Sequence, residues 1–348
     1  MKIKVGILGA TGMVGQRFVE LLQNHPWFEV AELAASEKSA GMSYEKAMEG
    51  RWKVSANIPD KARKIKVKEC STGLDCKLVF SALDSSVAGG IEEDFAKNGY
   101  IVSSNSKNHR MDGDVPLLIP EVNPEHLQMI KRQKKRLGEG FIVTNPNCSA
   151  MGLVIALKPL QDFFRLKKVF VTTMQALSGA GYPGVASLDI LDNVVPYIGG
   201  EEEKIETEPL KILGGIKNDK FSLAGIKISA QCNRVNVKDG HLGAVNVELG
   251  KKAGLEEVKD AFKKFNPLKN LSLPSAPNPP IIIKEEIDRP QPRYDRDLGN
   301  GMAVCVGRIR KCNILDYRFL VLNHNTVRGA AGAAILNAEL MKAKGILG

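Results

Sequence analysis

The sequence predicts an α/β protein in two parts. An open parallel sheet with helices fills the first half, and an α+β domain with a larger mixed sheet follows. Three observations lead there. Short apolar runs alternate with amphipathic stretches as far as residue 147, the pattern of βαβ units. A glycine-rich turn joins the first apolar run to the first helical one. Beyond Cys148 the strand-like runs lengthen, and loops rich in Gly, Pro and Asn separate them. At 348 residues the chain is also too long for one small core.

Each element has its own signal. Lys4-Val5-Gly6-Ile7-Leu8 reads as a short buried strand. Helical periodicity covers 13–22 and stops near Asn24-His25-Pro26, because proline cannot continue a helix. Residues 28–34 read as the second strand, and 77–82 as another, followed by a helix through 92–97. Residues 100–103 and 141–143 complete the first set. In the second half, strands are expected over 168–175, 221–229, 243–249 and 302–310. Residues 274–280 are Pro-rich and expected as an ordered surface loop. The Ala-rich stretch 327–343 has helical periodicity and is expected to dock back onto the first domain.

Composition narrows the classes. No apolar run is long enough to span a bilayer, so no membrane partner is expected. Met1-Lys2-Ile3-Lys4-Val5 leads directly into a strand, which argues against a signal peptide and for the cytoplasm. Six cysteines without a CxxC spacing fit a reduced compartment, with no structural zinc or other metal expected. The net charge of +10 raises nucleic-acid binding as one reading. Its densest run, Lys131-Arg132-Gln133-Lys134-Lys135-Arg136, has few aromatics and reads better as a solvated helix face. Part of the excess charge then serves small anions such as phosphate.

Asn145-Pro146-Asn147-Cys148-Ser149-Ala150 lies between a strand-like and a helix-like run. Cys148 therefore starts a helix, where the dipole and free N–H groups favour a thiolate nucleophile over an inert buried thiol. Gly9-Ala10-Thr11-Gly12-Met13-Val14-Gly15 opens the first helix as G-x-x-G-x-x-G. Glycines there permit a tight turn and close approach of a pyrophosphate, the Rossmann-type arrangement. At the end of the second strand stand Ser36, Glu37, Lys38 and Ser39. The two hydroxyls and the cation suit the 2′-phosphate of NADP, whereas an inward Glu37 would suit NAD. The loop 104–110 carries Lys107, His109 and Arg110 and reads as an anion clamp or a polar surface loop. Glu201 and Lys204 share a helix face, and Arg234 and His241 share one short segment, with histidine the usual acid/base.

The chain resembles the aspartate-semialdehyde dehydrogenase family, in its archaeal and fungal branch. The matching motifs run in order over nearly the whole length: GATGMVGQRF, LAASEKSAG, VPLLIPEVN, NPNCS, MQALSGAGYPG, the EEEK segment, CNRVNVKDGH, EEIDRPQPR and HNTVRGAAGAA. The resemblance implies an NADP-dependent enzyme interconverting L-aspartyl-4-phosphate and L-aspartate 4-semialdehyde, on the route to lysine, threonine, methionine and isoleucine. It implies Cys148 as nucleophile, His241 as acid/base and Gln175 orienting the acyl group. Arg234 then binds the substrate carboxylate and one of three consecutive glutamates its ammonium, Glu201 by its spacing to Lys204. Lys204, Arg110 and Asn147 hold the phosphate.

For the cofactor, the resemblance implies Gly9, Thr11, Gly12, Met13, Val14, Ser36, Lys38, Ser39, Ser178, Gly179, Asn325 and Thr326. It also implies an NADP-binding domain over 1–147, completed by the helix 327–348. A catalytic and dimerisation domain over 148–326 would make a homodimer or homotetramer. Malonyl-CoA reductase, a relative with the same cysteine and histidine, is the alternative. Its thioester substrate has no ammonium for a glutamate to hold.

Overall fold

The computed structural model of the protein describes residues 1–347. The chain forms two compact units. The first comprises Met1–Leu118, Glu125–Asn145 and the stretch from Ala330 onward; the second comprises Ile119–Pro124 and Pro146–Gly329. The chain thus passes between units after Leu118, Pro124, Asn145 and Gly329.

The first unit runs β1 (Ile3–Leu8), α1 (Met13–Leu22), β2 (Phe28–Ala35), the single turns α2 (Tyr44–Ala47) and α3 (Asp60–Arg63), and β3 (Val67–Glu69). It continues with β4 (Leu78–Ser81), α4 (Ser85–Lys97), β5 (Ile101–Ser104), α5 (Ile130–Leu137) and β6 (Phe141–Thr144). The six strands form one sheet in the order β3-β2-β1-β4-β5-β6, all parallel. Strands β4 and β6 are buried at every position, as parallel strands covered on both faces must be. Phe18 of α1 stacks on Phe80 of β4 at 5.0 Å, and both are fully buried. Each such ring contributes about 1.5–3 kcal/mol by leaving water.

The strand order reverses at β1 and β4, so a crevice opens beyond their carboxyl ends. The glycine turn starts there. Gly9 has φ +75°, and a Cβ on it would lie 2.6 Å from the Ala82 carbonyl oxygen. A Cβ on Gly15 would lie 2.2 Å from the Gly9 oxygen. Neither position accepts a side chain.

The second unit runs α6 (Cys148–Phe164), β7 (Leu166–Gln175), α7 (Ser187–Ile190), α8 (Glu201–Ile212), β8 (Gly215–Lys217), β9 (Lys220–Ser222) and β10 (Lys227–Arg234). Then come β11 (His241–Leu249), α9 (Leu255–Lys264), β12 (Ile281–Lys284), α10 (Pro292–Asp295), β13 (Val304–Lys311) and β14 (Tyr317–Asn323). Its mixed sheet has the order β10-β7-β11-β14-β13-β12. Strand β11 alternates buried and half-buried residues along its length, as a sheet with one face on the core requires. Helix α6 is buried nearly all round.

Register places the chemistry. Arg234 pairs with Gln175, Leu242 with Met174, and His241 with Asn323. The last residues of β7, β10 and β14 and the first of β11 therefore stand at one end of the sheet. A buried ion pair anchors the Ile119–Pro124 excursion in this unit. Arg328 donates through two nitrogens to both oxygens of Glu121 at 2.8 and 2.7 Å, with both side chains 1% exposed.

Two expectations need correction. The strand expected over 221–229 is two elements, because β9 pairs antiparallel with β8 and only then does β10 begin. Asn218 and Asp219 between them have φ of 51° and 54°, the paired left-handed conformation of a two-residue hairpin turn. The terminal helix expected over 327–343 starts as a π-helical turn, Val327–Ala331, before α11 (Gly332–Ala343). Helix α11 belongs to the first unit, where Ser103 Oγ donates to the Ala334 carbonyl and Glu339 Oε1 meets His25 Nε2 at 2.7 Å.

Candidate active site

Asn147 shapes the start of α6. Its side-chain oxygen accepts from the N–H groups of Ser149 and Ala150 at 2.9 and 3.2 Å, so it is the N-cap. Cys148 is consequently the first helical residue, where unpaired amides and the dipole favour an anion. Its Sγ lies 3.1 Å from His241 Nε2. Asn323 Nδ2 donates to the Cys148 carbonyl at 3.0 Å, and a Cβ on Gly329 would come within 2.8 Å of Cys148 Cβ.

The histidine is locked from its other side. The Ala176 N–H donates to His241 Nδ1 at 3.0 Å, so the ring proton resides on Nε2 and points at sulfur. The carbonyl of the same Ala176 accepts from Arg234 Nη1 at 2.7 Å. One residue thus orients both the imidazole and the guanidinium. Burial, then the Arg234 charge, push His241 down to about 3, so the ring is neutral at working pH. Burial also lowers Arg234, while Cys148 and Glu201 act in the other direction. Gly179 covers this pair: a Cβ there would sit 2.9 Å from Arg234 Nη1 and 3.1 Å from His241 Nε2.

Of the three consecutive glutamates, Glu201 is the buried one and Glu203 is exposed. Glu201 accepts from Asn147 Nδ2 at 3.0 and 2.9 Å, from Gln175 Nε2 at 3.2 Å and from Lys204 Nζ at 2.7 Å. Its burial would raise its pKa, but Lys204 and those hydrogen bonds outweigh burial and hold it below the usual carboxylate range. Glu202 instead accepts from the Cys232 N–H. Asn147 was expected at the phosphate; its side chain is engaged as cap and as Glu201's partner.

The structure therefore gathers Cys148, His241, Gln175, Arg234, Asn147, Glu201 and Lys204 in the second unit. Asn325 joins the same unit's network, donating to Ser178 Oγ at 2.8 Å and accepting from Gly240 N–H at 2.8 Å. Thr326 is buried beside His324, 3.4 Å from its Nδ1. Three contributors escaped the sequence reading. Ala176 acts only through its peptide, and Asn323 arrives by strand register. Glu208, which accepts from the Asn147 N–H at 2.6 Å, by contrast stands seven residues after Glu201 on one helix face, a spacing that was readable.

The remaining expected residues lie in the first unit. Gly12 is the N-cap of α1, and a Cβ there would meet nothing nearer than 3.5 Å. Space is therefore open at the helix start, where the N–H groups of Met13 and Val14 have no acceptor within the helix. With Thr11 in the turn, this geometry fits a pyrophosphate. Ser39 is buried, whereas Ser36, Glu37 and Lys38 are exposed. Arg110 is buried and donates to the Asn105 carbonyl at 2.7 Å.

Family models match both units: a semialdehyde dehydrogenase NAD binding domain over residues 4–130, and a semialdehyde dehydrogenase dimerisation domain over 157–328. The aspartate-semialdehyde dehydrogenase of Archaeoglobus fulgidus is 54% identical, covering 98% of each chain. The chain belongs to the aspartate-semialdehyde dehydrogenase family. A fungal member, from Cryptococcus neoformans, is 48% identical over 99% of this chain and 98% of its own. Among solved structures, the Candida albicans aspartate-semialdehyde dehydrogenase with NADP superposes with a TM-score of 0.91, at 44% identity and full coverage of both chains. Form II from Vibrio cholerae, complexed with ASA, gives 0.78 at 26% identity over 98% of each. These relatives favour the aspartyl reading over malonyl-CoA reductase.

Proposed function

We propose that this protein is an NADP-dependent dehydrogenase that interconverts L-aspartate 4-semialdehyde and L-aspartyl-4-phosphate. The observation that carries the reading is the Cys148 Sγ to His241 Nε2 distance of 3.1 Å, at a helix start, with the imidazole tautomer set by Ala176. When bound, NADP takes up or returns a hydride.

The side chains supply the rest. The Cys148 thiolate attacks the aldehyde carbon, and the carbonyl electron pair moves to oxygen. His241 Nε2–H donates a hydrogen bond to that oxygen, its proton staying on the ring, and steadies the negative charge until the C=O re-forms with loss of hydride, leaving a thioester on Cys148. Phosphate then attacks the thioester carbon, the C–S bond breaks, and the thiolate is restored. Arg234 provides the planar fork for the substrate carboxylate. Glu201 receives the α-ammonium in place of its Lys204 partner, freeing Lys204 for phosphate.

The deciding assay measures NADPH formation from aspartate semialdehyde, phosphate and NADP, with malonyl-CoA and NADPH run in parallel. Faster turnover of malonyl-CoA would overturn the aspartyl assignment. Glu201→Gln is expected to weaken semialdehyde binding by roughly 1.5–3 kcal/mol, the range for a hydrogen bond to a charged group. NADP affinity should stay unchanged; an unaltered KM for semialdehyde would remove Glu201 from the ammonium site.

Cofactor choice is the second expectation. Glu37, the acidic residue of the turn, is exposed rather than turned inward, and it stands among Ser36, Lys38 and the buried Ser39, which suit a 2′-phosphate. The ratio of kcat/KM for NADP over NAD should exceed one and fall in Lys38→Ala. A ratio of one in the wild type would mean that these donors do not govern the choice.

We also infer self-association through the second unit. Supporting it are the dimerisation family model and a cavity of about 520 Å³ on this unit's surface, lined by Phe170, Ile228, Ile314 and Leu315. Ile314 is 91% exposed. Light scattering on the purified protein distinguishes dimer, tetramer and monomer. No helix among the described residues is long and apolar enough to cross a membrane, and we place the enzyme in the cytoplasm.

A further inference from the structure

We propose that Glu208 is a positioning residue for the nucleophile: its buried carboxylate holds the backbone of Asn147 and thereby fixes Cys148 against His241. The proposal rests on the reading of Cys148 as nucleophile. Glu208 Oε2 accepts from the Asn147 N–H at 2.6 Å, and the residue is 2% exposed. Seven residues separate Glu208 from Glu201 on α8, two helical turns, so both carboxylates emerge from one face. They grip the same residue from two directions. Glu201 takes the Asn147 side chain, and Glu208 takes its main chain.

The two grips differ in what they can do for the reaction. In the proposed mechanism Glu201 also meets the substrate, so its geometry changes with ligand. Glu208 bonds a backbone amide that no substrate replaces. That amide belongs to the residue capping α6, one position before the reactive sulfur. If its acceptor is removed, a buried N–H is left unsatisfied. Asn147 then keeps only its side-chain anchors and loses the one on its backbone N–H, and the Cys148–His241 contact loosens. Lys211, also buried and three residues further along α8, places a cation on the same helix side.

The test uses the full-length enzyme and three variants: Glu208→Ala, Glu208→Gln and Glu208→Asp. Each is assayed for kcat, for KM of semialdehyde and NADP, and for the rate of Cys148 alkylation by iodoacetamide, read at that peptide by mass spectrometry. A control comes first: alkylating Cys148 in the wild type must abolish activity. If activity survives, the nucleophile reading itself falls, and this proposal with it. Glu208→Ala is expected to lower kcat by about tenfold to a hundredfold, the scale of an ångström-sized misplacement, and to slow alkylation in step. Both KM values should change little. Glu208→Gln keeps an acceptor oxygen at the same reach and should restore most of both rates. Should Glu208→Ala fail to fold, the other two variants decide, because Glu208→Asp draws the acceptor back by one methylene and should be slower than Glu208→Gln. A folded Glu208→Ala with wild-type kcat and alkylation rate, or a Glu208→Gln slower than Glu208→Asp, overturns the proposal.

Discussion

Replacing Cys148 by serine is expected to lower kcat by several orders of magnitude while leaving NADP affinity nearly unchanged. A serine hydroxyl has the same reach but does not ionise at the helix start, so the attacking anion is lost with little change of shape. Isothermal titration with NADP and a steady-state assay check both halves, and a serine variant at wild-type rate would remove Cys148 from the mechanism. Alkylation gives independent information because the six thiols differ. Burial raises the Cys70 thiol and pushes Cys76 and Cys305 up to about 12 and Cys232 to about 11. Cys312 is the competitor: burial there is outweighed by the backbone amides of Leu315 and Ile314 and by Arg318, which lower it. Substrate and NADP should protect Cys148 from the reagent and leave the labelling of Cys312, which lines the surface cavity of the second unit, unchanged.

The second large effect is expected at His241. His241→Gln keeps a polar group of similar length but loses the acid, and kcat should fall by roughly a hundredfold to ten-thousandfold, the range for acid–base side chains. The same variant should alter the acid stability of the protein. His241 is pushed down to about 3 in the folded state, below its ordinary value near 6.5 in the unfolded chain. Between those values the unfolded state binds a proton that the folded state refuses. The histidine's contribution is therefore fully present above about pH 6.5 and lost as pH falls toward the folded value, on the order of a few kcal/mol. Thermal melts from pH 7 to pH 4 should show a steeper loss in the wild type than in His241→Gln. Parallel curves would mean that the ring is not buried neutral.

Much of the protein was legible in its sequence. Helix α1 has the bounds its periodicity indicated, ended before Pro26 by chemistry local to the chain. The start of α6 at Cys148 could be read because Asn147 caps through its own side chain, two and three residues from the amides it satisfies. The glycine turn was equally clear, since Gly15 is excluded from bearing a side chain by backbone atoms of the same local motif, although what crowds Gly9 is the distant Ala82 carbonyl. Strand β12 and strand β14 were not anticipated, and 221–229 was read as one strand, because pairing partners far along the chain decide which apolar runs join a sheet.

Local pattern and the family resemblance settled which residues were candidates: a cysteine at a helix start, an arginine and histidine seven apart, a glutamate three before a lysine. Only the tertiary structure decided what each touches. Sheet register set Gln175 beside Arg234 and His241 beside Asn323. The peptide of Ala176 fixed the imidazole tautomer, and burial singled out Glu201 from its two neighbours. The division has a physical cause. Caps, turns and helical faces are written within a few residues, whereas desolvation, hydrogen bonds between distant segments and the charge state of a buried ring exist only once the chain has closed around them.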